Sequence, residues 1–236
     1  MKARDVAWVG LGALTALVLL AVGAGTVLRL SPYVAAVLII GLAVAPFLIS
    51  FERRRPTARD VVLMAVLVAL AVASRAVFAF VPHFKPMAAV VMIAGIALGA
   101  RSGFLVGALA ALASGFLFGQ GPWTPFQMLA FGAAGCTAGF LADRGLIPRA
   151  NLSRRATVAL ALGGFAFVVV VLGPILDTSS VLLMVADLTP EGTLAVYLAG
   201  LPVNLIHGGA TALTLLVAAN PLLGQIARVR TKYGLG

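Results

Sequence analysis

Apolar runs of about 20 residues recur along the whole chain, and a run of that kind is what an α-helix needs to cross the hydrocarbon core of a bilayer. Inside lipid every backbone polar group must be bonded internally, so such runs fold as helices. Only 10% of the 236 residues are charged, against about a quarter in a soluble domain. The chain therefore reads as an all-α polytopic membrane protein. Eight spans follow from the pattern. The first two run from Val6 to Leu28 and from Tyr33 to Phe51, the third from Val61 to Val81, and an unusually short fourth from Met87 to Gly99. The fifth to eighth run from Ser102 to Phe118, Pro125 to Leu141, Thr157 to Leu176 and Leu194 to Ala219. The fourth, about 20 Å long, must be shielded by its neighbours or sit off-centre.

Basic residues in short loops set the orientation of such a bundle. With eight spans both termini share a side, and that side holds Lys2, Arg4, Arg53, Arg54, Arg55, Arg59, Arg101, Arg144, Arg149, Arg154, Arg155, Arg228, Arg230 and Lys232, 14 of the 17 Lys and Arg. Arg29, Arg75 and Lys85 remain for the other half, and the loop after the seventh span carries Asp177, Asp187 and Glu191. Both termini are expected to be cytoplasmic, in the cell membrane, and the net charge of +10 is spent on topology rather than on nucleic acid. The first run follows a charged start like a signal peptide but is too long for one, and Leu28-Arg29-Leu30-Ser31-Pro32 is a poor cleavage site.

The linker Glu52-Arg53-Arg54-Arg55-Pro56-Thr57-Ala58-Arg59-Asp60 divides the chain. Three parts are expected: a two-helix hairpin and basic linker over 1–56, a six-helix core over 57–222, and a basic cytoplasmic tail over 223–236. Thr57 or Asp60 suits a helix cap for the third span.

Several chemistries are ill served. Two histidines, one cysteine and no His-Glu-x-x-His pattern give no metal site, no P-loop offers ATP hydrolysis, and the spans hold almost none of the mid-membrane ionisable groups that ion-coupled transport uses. No enzyme activity and no cofactor is expected. Polar groups gather instead toward the outer half. Arg75 lies about two turns before the outer end of the third span, where a charge must face protein, water, a ligand, or an acid such as Asp177 or Asp187. Phe84 and Lys85 follow in a loop bounded by Pro82 and Pro86, and Asn204 and His207 share a face of the last span. Between spans five and six, Phe118-Gly119-Gln120-Gly121-Pro122-Trp123-Thr124-Pro125-Phe126-Gln127-Met128 makes a sharp turn rich in groups that stack and hydrogen-bond. Helix packing accounts for any one of these; their convergence at one level suits a small-molecule pocket. On a different surface, Ala65, Ala69 and Ala73 recur every fourth residue and form a smooth ridge that a second helix can approach.

From Ala58 to about Ala219 the chain resembles the substrate-binding S components of energy-coupling factor (ECF) vitamin transporters. The resemblance lies in the Ala58-Arg59-Asp60 entry, the alanine ridge, Ser74-Arg75, Phe84-Lys85-Pro86, the Gly99 to Phe104 turn and the Phe118 to Met128 stretch; the last is most similar to cobalamin-type members. It implies a subunit without ATPase activity that binds a vitamin from outside, docks through Ala65, Ala69 and Ala73 on a transmembrane coupling subunit with two cytoplasmic ATPases, and topples in the lipid to carry the ligand inward. Arg75, Phe84, Lys85, Gln120, Trp123, Thr124, Gln127, Asn204 and His207 are the expected ligand contacts, with cobalamin or a related corrinoid first among ligands. A flavin, a porphyrin-like ring or a modified nucleobase would stack on the same groups. The two helices before the core are not part of the family pattern.

Overall fold

The computed structural model describes residues 57–184 and 189–234, together with scattered positions between 31 and 49. The first span, the arginine linker before Thr57 and Asp187 lie outside the described residues. Helix α1 spans Ala58–Val77. Thr57 caps it: its hydroxyl accepts from the Asp60 N–H, while the Asp60 carboxylate accepts from the Thr57 N–H at 3.0 Å, a reciprocal arrangement that satisfies two otherwise orphaned donors. Helix α2 spans Met87–Leu98. At about 18 Å it is too short to cross a bilayer by itself, and the structure resolves this by burying every residue from Met87 to Ala97. Gly99, at φ +91°, turns the chain directly into α3, Ala100–Phe118. Helix α4 covers Thr124–Asp143 and α5 Arg154–Phe167.

The seventh span does not end near Leu176. A π-helical turn over Val168–Leu172 passes the chain from α5 into α6, Gly173–Met184. Pro174 explains the turn, because its ring removes an N–H from the ladder and crowds the preceding turn, which a widened helix accommodates. Asp177 therefore sits within α6, not in the loop expected after it. The last helix, α7, spans Pro190–Tyr233, 44 residues including Pro202 and Pro221. Its length of about 66 Å is more than twice the hydrocarbon thickness. Residues 223–233, set apart above as a tail, continue this helix, with Leu223 and Ile226 buried. Among the described residues, five helical stretches are long and apolar enough to cross a membrane, α5 and α6 counting as one.

The centre of the bundle is made by α2, α3 and α4, which approach through glycine. A Cβ placed on Gly95 would fall on the Gly135 carbonyl, one on Gly107 on the Phe131 carbonyl, and one on Gly135 on the Gly103 carbonyl. These helices meet backbone to backbone, the close approach that small residues permit in lipid. One end of the bundle is basic and heavily hydrogen-bonded. Asp143 accepts from the Ala100 N–H at 3.1 Å and pairs with Arg149; Arg149 and Arg230 both donate to the Ala97 carbonyl, which α2 leaves unpaired at its end. Arg59 donates to the Tyr233 carbonyl at 2.9 Å, joining the start of α1 to the end of α7.

At the same end Asn220 holds the chain before α5. Its amide accepts from the Leu152 N–H at 2.8 Å and donates to the Leu152 carbonyl at 3.0 Å, pairing both backbone groups of a buried residue. Asn220→Leu strands both. It is expected to lower stability by about 2 kcal/mol, read as a lower unfolding midpoint of the detergent-solubilised protein. An unchanged midpoint would mean that water takes over both bonds.

Candidate functional site

At the end opposite the arginine clasp, α1, α3, α4, α7 and the loop between α1 and α2 converge. The last turn of α1 delivers Arg75. Its Nη1 donates to the Ser114 hydroxyl at 2.7 Å, and the guanidinium stands 4.6 Å from the centre of the Phe118 ring. A hydrogen bond and a cation–π contact offset part of the cost of a charge at this depth. They leave one donor idle, for the buried Arg75 Nε has no hydrogen-bond partner. Asp177 does not neutralise Arg75; its carboxylate accepts from the Asn204 amide at 2.7 Å across α6 and α7.

His207 enters from α7 and is 6% exposed. It interacts with the Lys85 backbone and lies within electrostatic reach of the Lys85 and Arg75 charges. Its ring centre is 6.1 Å from that of Phe131 on α4, and its buried Nε2 has no partner. Lys85 is half-buried in the loop, where burial and then the nearby Arg75 hold its ammonium below the usual lysine range. Phe84 in the same loop packs against Phe78 with ring centres 5.0 Å apart. Among the described residues the single ion pair is Asp143–Arg149, and none of their carboxylates pairs with Arg75 or Lys85.

Arg75, Lys85 and His207 are thus neighbours. Half-buried Gln127 lies one helical turn from Phe131, on the same face of α4. The remaining expected contacts are placed differently. Gln120 folds back: its amide donates to the Leu112 carbonyl at 2.9 Å and accepts from the Thr124 hydroxyl at 2.8 Å, and that hydroxyl also accepts from the Gly121 N–H. A Cβ on Gly115 would strike the Gln120 amide and one on Gly121 the Trp123 ring, so the two glycines are what allow the loop to fold on itself. Trp123 is 42% exposed. Asn204 is occupied by Asp177, one turn from His207. Tyr33, from the helical positions before the core, donates its hydroxyl to the Pro122 carbonyl at 2.9 Å and so reaches the same loop.

Ser114 and Phe131 were missed in the sequence. The spacing of Phe131 from Gln127 was a usable signal; nothing in the chain near Ser114 marks it as the acceptor for a residue 39 positions away. On the outside of the bundle, α1 turns Met64, Leu67 and Ala71 inward and leaves Ala65, Ala69 and Ala73 exposed, with Val62, Val66 and Leu70 beside them.

A family model described as the ECF-type riboflavin transporter, S component, matches residues 55–228, nearly three-quarters of the chain. No curated protein and no solved structure matches. The match overturns the cobalamin-type branch expected from the Phe118 to Met128 stretch: the family is that of riboflavin. The structure supplies the physical reason the stretch misled. Gln120, Thr124 and the glycines of that stretch are spent on the loop's own hydrogen bonds and packing, so the motif encodes how the loop folds rather than which vitamin it meets.

Proposed function

The chain belongs to the ECF-type riboflavin transporter S-component family, multi-pass membrane subunits without ATPase activity, and from that membership we propose that it binds riboflavin at the corner formed by Arg75, Lys85, Gln127, Phe131 and His207. The observation that supports this site is the pair of buried, unpartnered nitrogens, Arg75 Nε and His207 Nε2, beside aromatic rings. Buried polar atoms are ordinarily paired, and unpaired ones mark a place where a partner is missing. Riboflavin is a neutral molecule with a planar ring system whose edge carries carbonyl and nitrogen acceptors, and a polyhydroxylated chain. Arg75 Nε is a donor, and His207 Nε2 donates or accepts according to tautomer. Phe118 and Phe131 supply apolar walls. Lys85, Phe84 and the Trp123 loop border the same end, and Asn204 holds α7 against α6 so that His207 keeps its place.

In this reading the ligand end is external and the arginine-rich end cytoplasmic, as the distribution of basic residues favours. The exposed ridge of Ala65, Ala69 and Ala73 meets the transmembrane coupling subunit, which works with two ATPases. Residues 1–56, almost all outside the matched region, serve as an accessory segment; Tyr33 steadies the Pro122 loop.

Protein purified from riboflavin-fed cells should release riboflavin on denaturation, identified by mass, and His207→Leu should weaken riboflavin binding by about tenfold or more with an unchanged elution profile. A different vitamin released would move the substrate and keep the class. Protein that is empty and fails to bind riboflavin in calorimetry would leave the polar corner as helix packing.

A further inference from the structure

Helices α4 and α5 separate toward the basic end. α4 touches the π turn and α6, whereas its approach to α5 is sparser still. The gap is a crevice of about 260 Å³, bordered by Ala138 and Leu141 of α4, Ile147 of the intervening turn, and Leu160, Gly163 and Phe167 of α5; Thr137 is its one polar side chain. Around the side of α5 the exposed Arg154 and Arg155 head a shallow depression continued by Val158, Ala159 and Leu162. Ala159 borders both, so the arginines and the crevice form one surface. Neither guanidinium has a carboxylate within ion-pair distance among the described residues.

Packed interiors hold few voids larger than a water molecule, and apolar voids stay dry. A crevice of this size, in a bundle that sits in lipid, is therefore filled by what the surroundings offer. Arg154 and Arg155 stand at the end of the bundle where the membrane meets water, and guanidinium groups bind phosphate through parallel hydrogen bonds. Basic pockets at the edges of transmembrane helices hold anionic headgroups by this chemistry. We propose that one anionic phospholipid is a resident ligand of this surface, its phosphate on Arg154 and Arg155 and an acyl chain in the crevice between α4 and α5. The inference does not depend on the vitamin carried.

Native mass spectrometry of the full chain in detergent, with dioleoyl-phosphatidylglycerol or dioleoyl-phosphatidylcholine added at equal concentration, tests it. The wild-type protein should retain the anionic lipid several-fold more than the zwitterionic one. The double variant Arg154→Gln, Arg155→Gln should lose that preference. Gly163→Leu, at a glycine whose added Cβ would meet nothing within 4 Å, should lower retention of both lipids by plugging the crevice with the arginines intact. Equal retention of the two lipids by the wild type needs no variant to fold and overturns the proposal. So does full retention of phosphatidylglycerol by both variants, which would leave the crevice to a protein partner.

Discussion

Gly135→Ala is expected to remove about 3 kcal/mol or more of stability and to leave little protein that elutes as a monodisperse peak after solubilisation. The added Cβ would lie on the carbonyl of Gly103 and within 3.0 Å of a Val91 methyl. Overpacking is usually relieved when a flexible side chain moves aside, but here the obstacle is the backbone of α3, fixed in turn against α2 at Gly95 and Gly103. Separating the helices would break the rest of the interface. Gly224→Ala is the matching control: it lies on α7 with nothing within 4 Å of its added Cβ, and there the change should be neutral or gain a few tenths of a kcal/mol from helix propensity. Thermal unfolding of both variants in one detergent checks the pair. Equal midpoints would show that the three helices adjust more freely than their contact geometry allows.

Ala69→Leu is expected to abolish most uptake while riboflavin affinity stays within about twofold, because on the docking ridge proposed above the substitution lies away from the ligand corner. Ala69 is exposed, and Met64, Leu67 and Ala71 carry the packing of α1 on its other side, so the larger side chain has no internal neighbour to disturb. Against a closely approaching helix it costs about 1–3 kcal/mol, on the order of ten- to a hundredfold in the docking equilibrium. Uptake of labelled riboflavin by cells expressing the complete transporter, set beside calorimetry on the purified subunit, separates the two effects. Normal uptake would move the coupling-subunit contact off this ridge.

Much of the helical layout could be read from the chain because lipid leaves so few choices: an apolar run of sufficient length has to be a helix, and α1, α3 and α4 begin and end close to where the runs do. The burial of α2 was legible from its shortness; for the cap of α1 the sequence offered Thr57 or Asp60, and the structure uses both, Thr57 as the cap and Asp60 as its reciprocal partner. Asp177 was not. An acid after an apolar run reads as the start of a loop, and only its bond to Asn204, 27 residues on, makes it tolerable inside α6. The Trp123 loop illustrates a different limit. Composition announced that its side chains would hydrogen-bond, but whether Gln120 bonds a ligand or the Leu112 carbonyl depends on the loop's path, which two glycines determine by leaving room. At Arg75 the need for a partner was readable from depth in the membrane; the partner's identity, Ser114, belongs to the way α1 lies on α3.

The glycine contacts among α2, α3 and α4 also bear on how this gene can drift. Every single-base change that alters a glycine codon without ending translation adds a Cβ, and at Gly95, Gly103, Gly107, Gly135 and Gly139 that atom has backbone where it needs space. These codons have no mild missense neighbour. Gly209 and Gly224, with open space around them, can wander. Random mutagenesis under selection for riboflavin uptake should therefore return the first group as glycine and the second as a mixture, marking the centre of the bundle in the survivors' DNA.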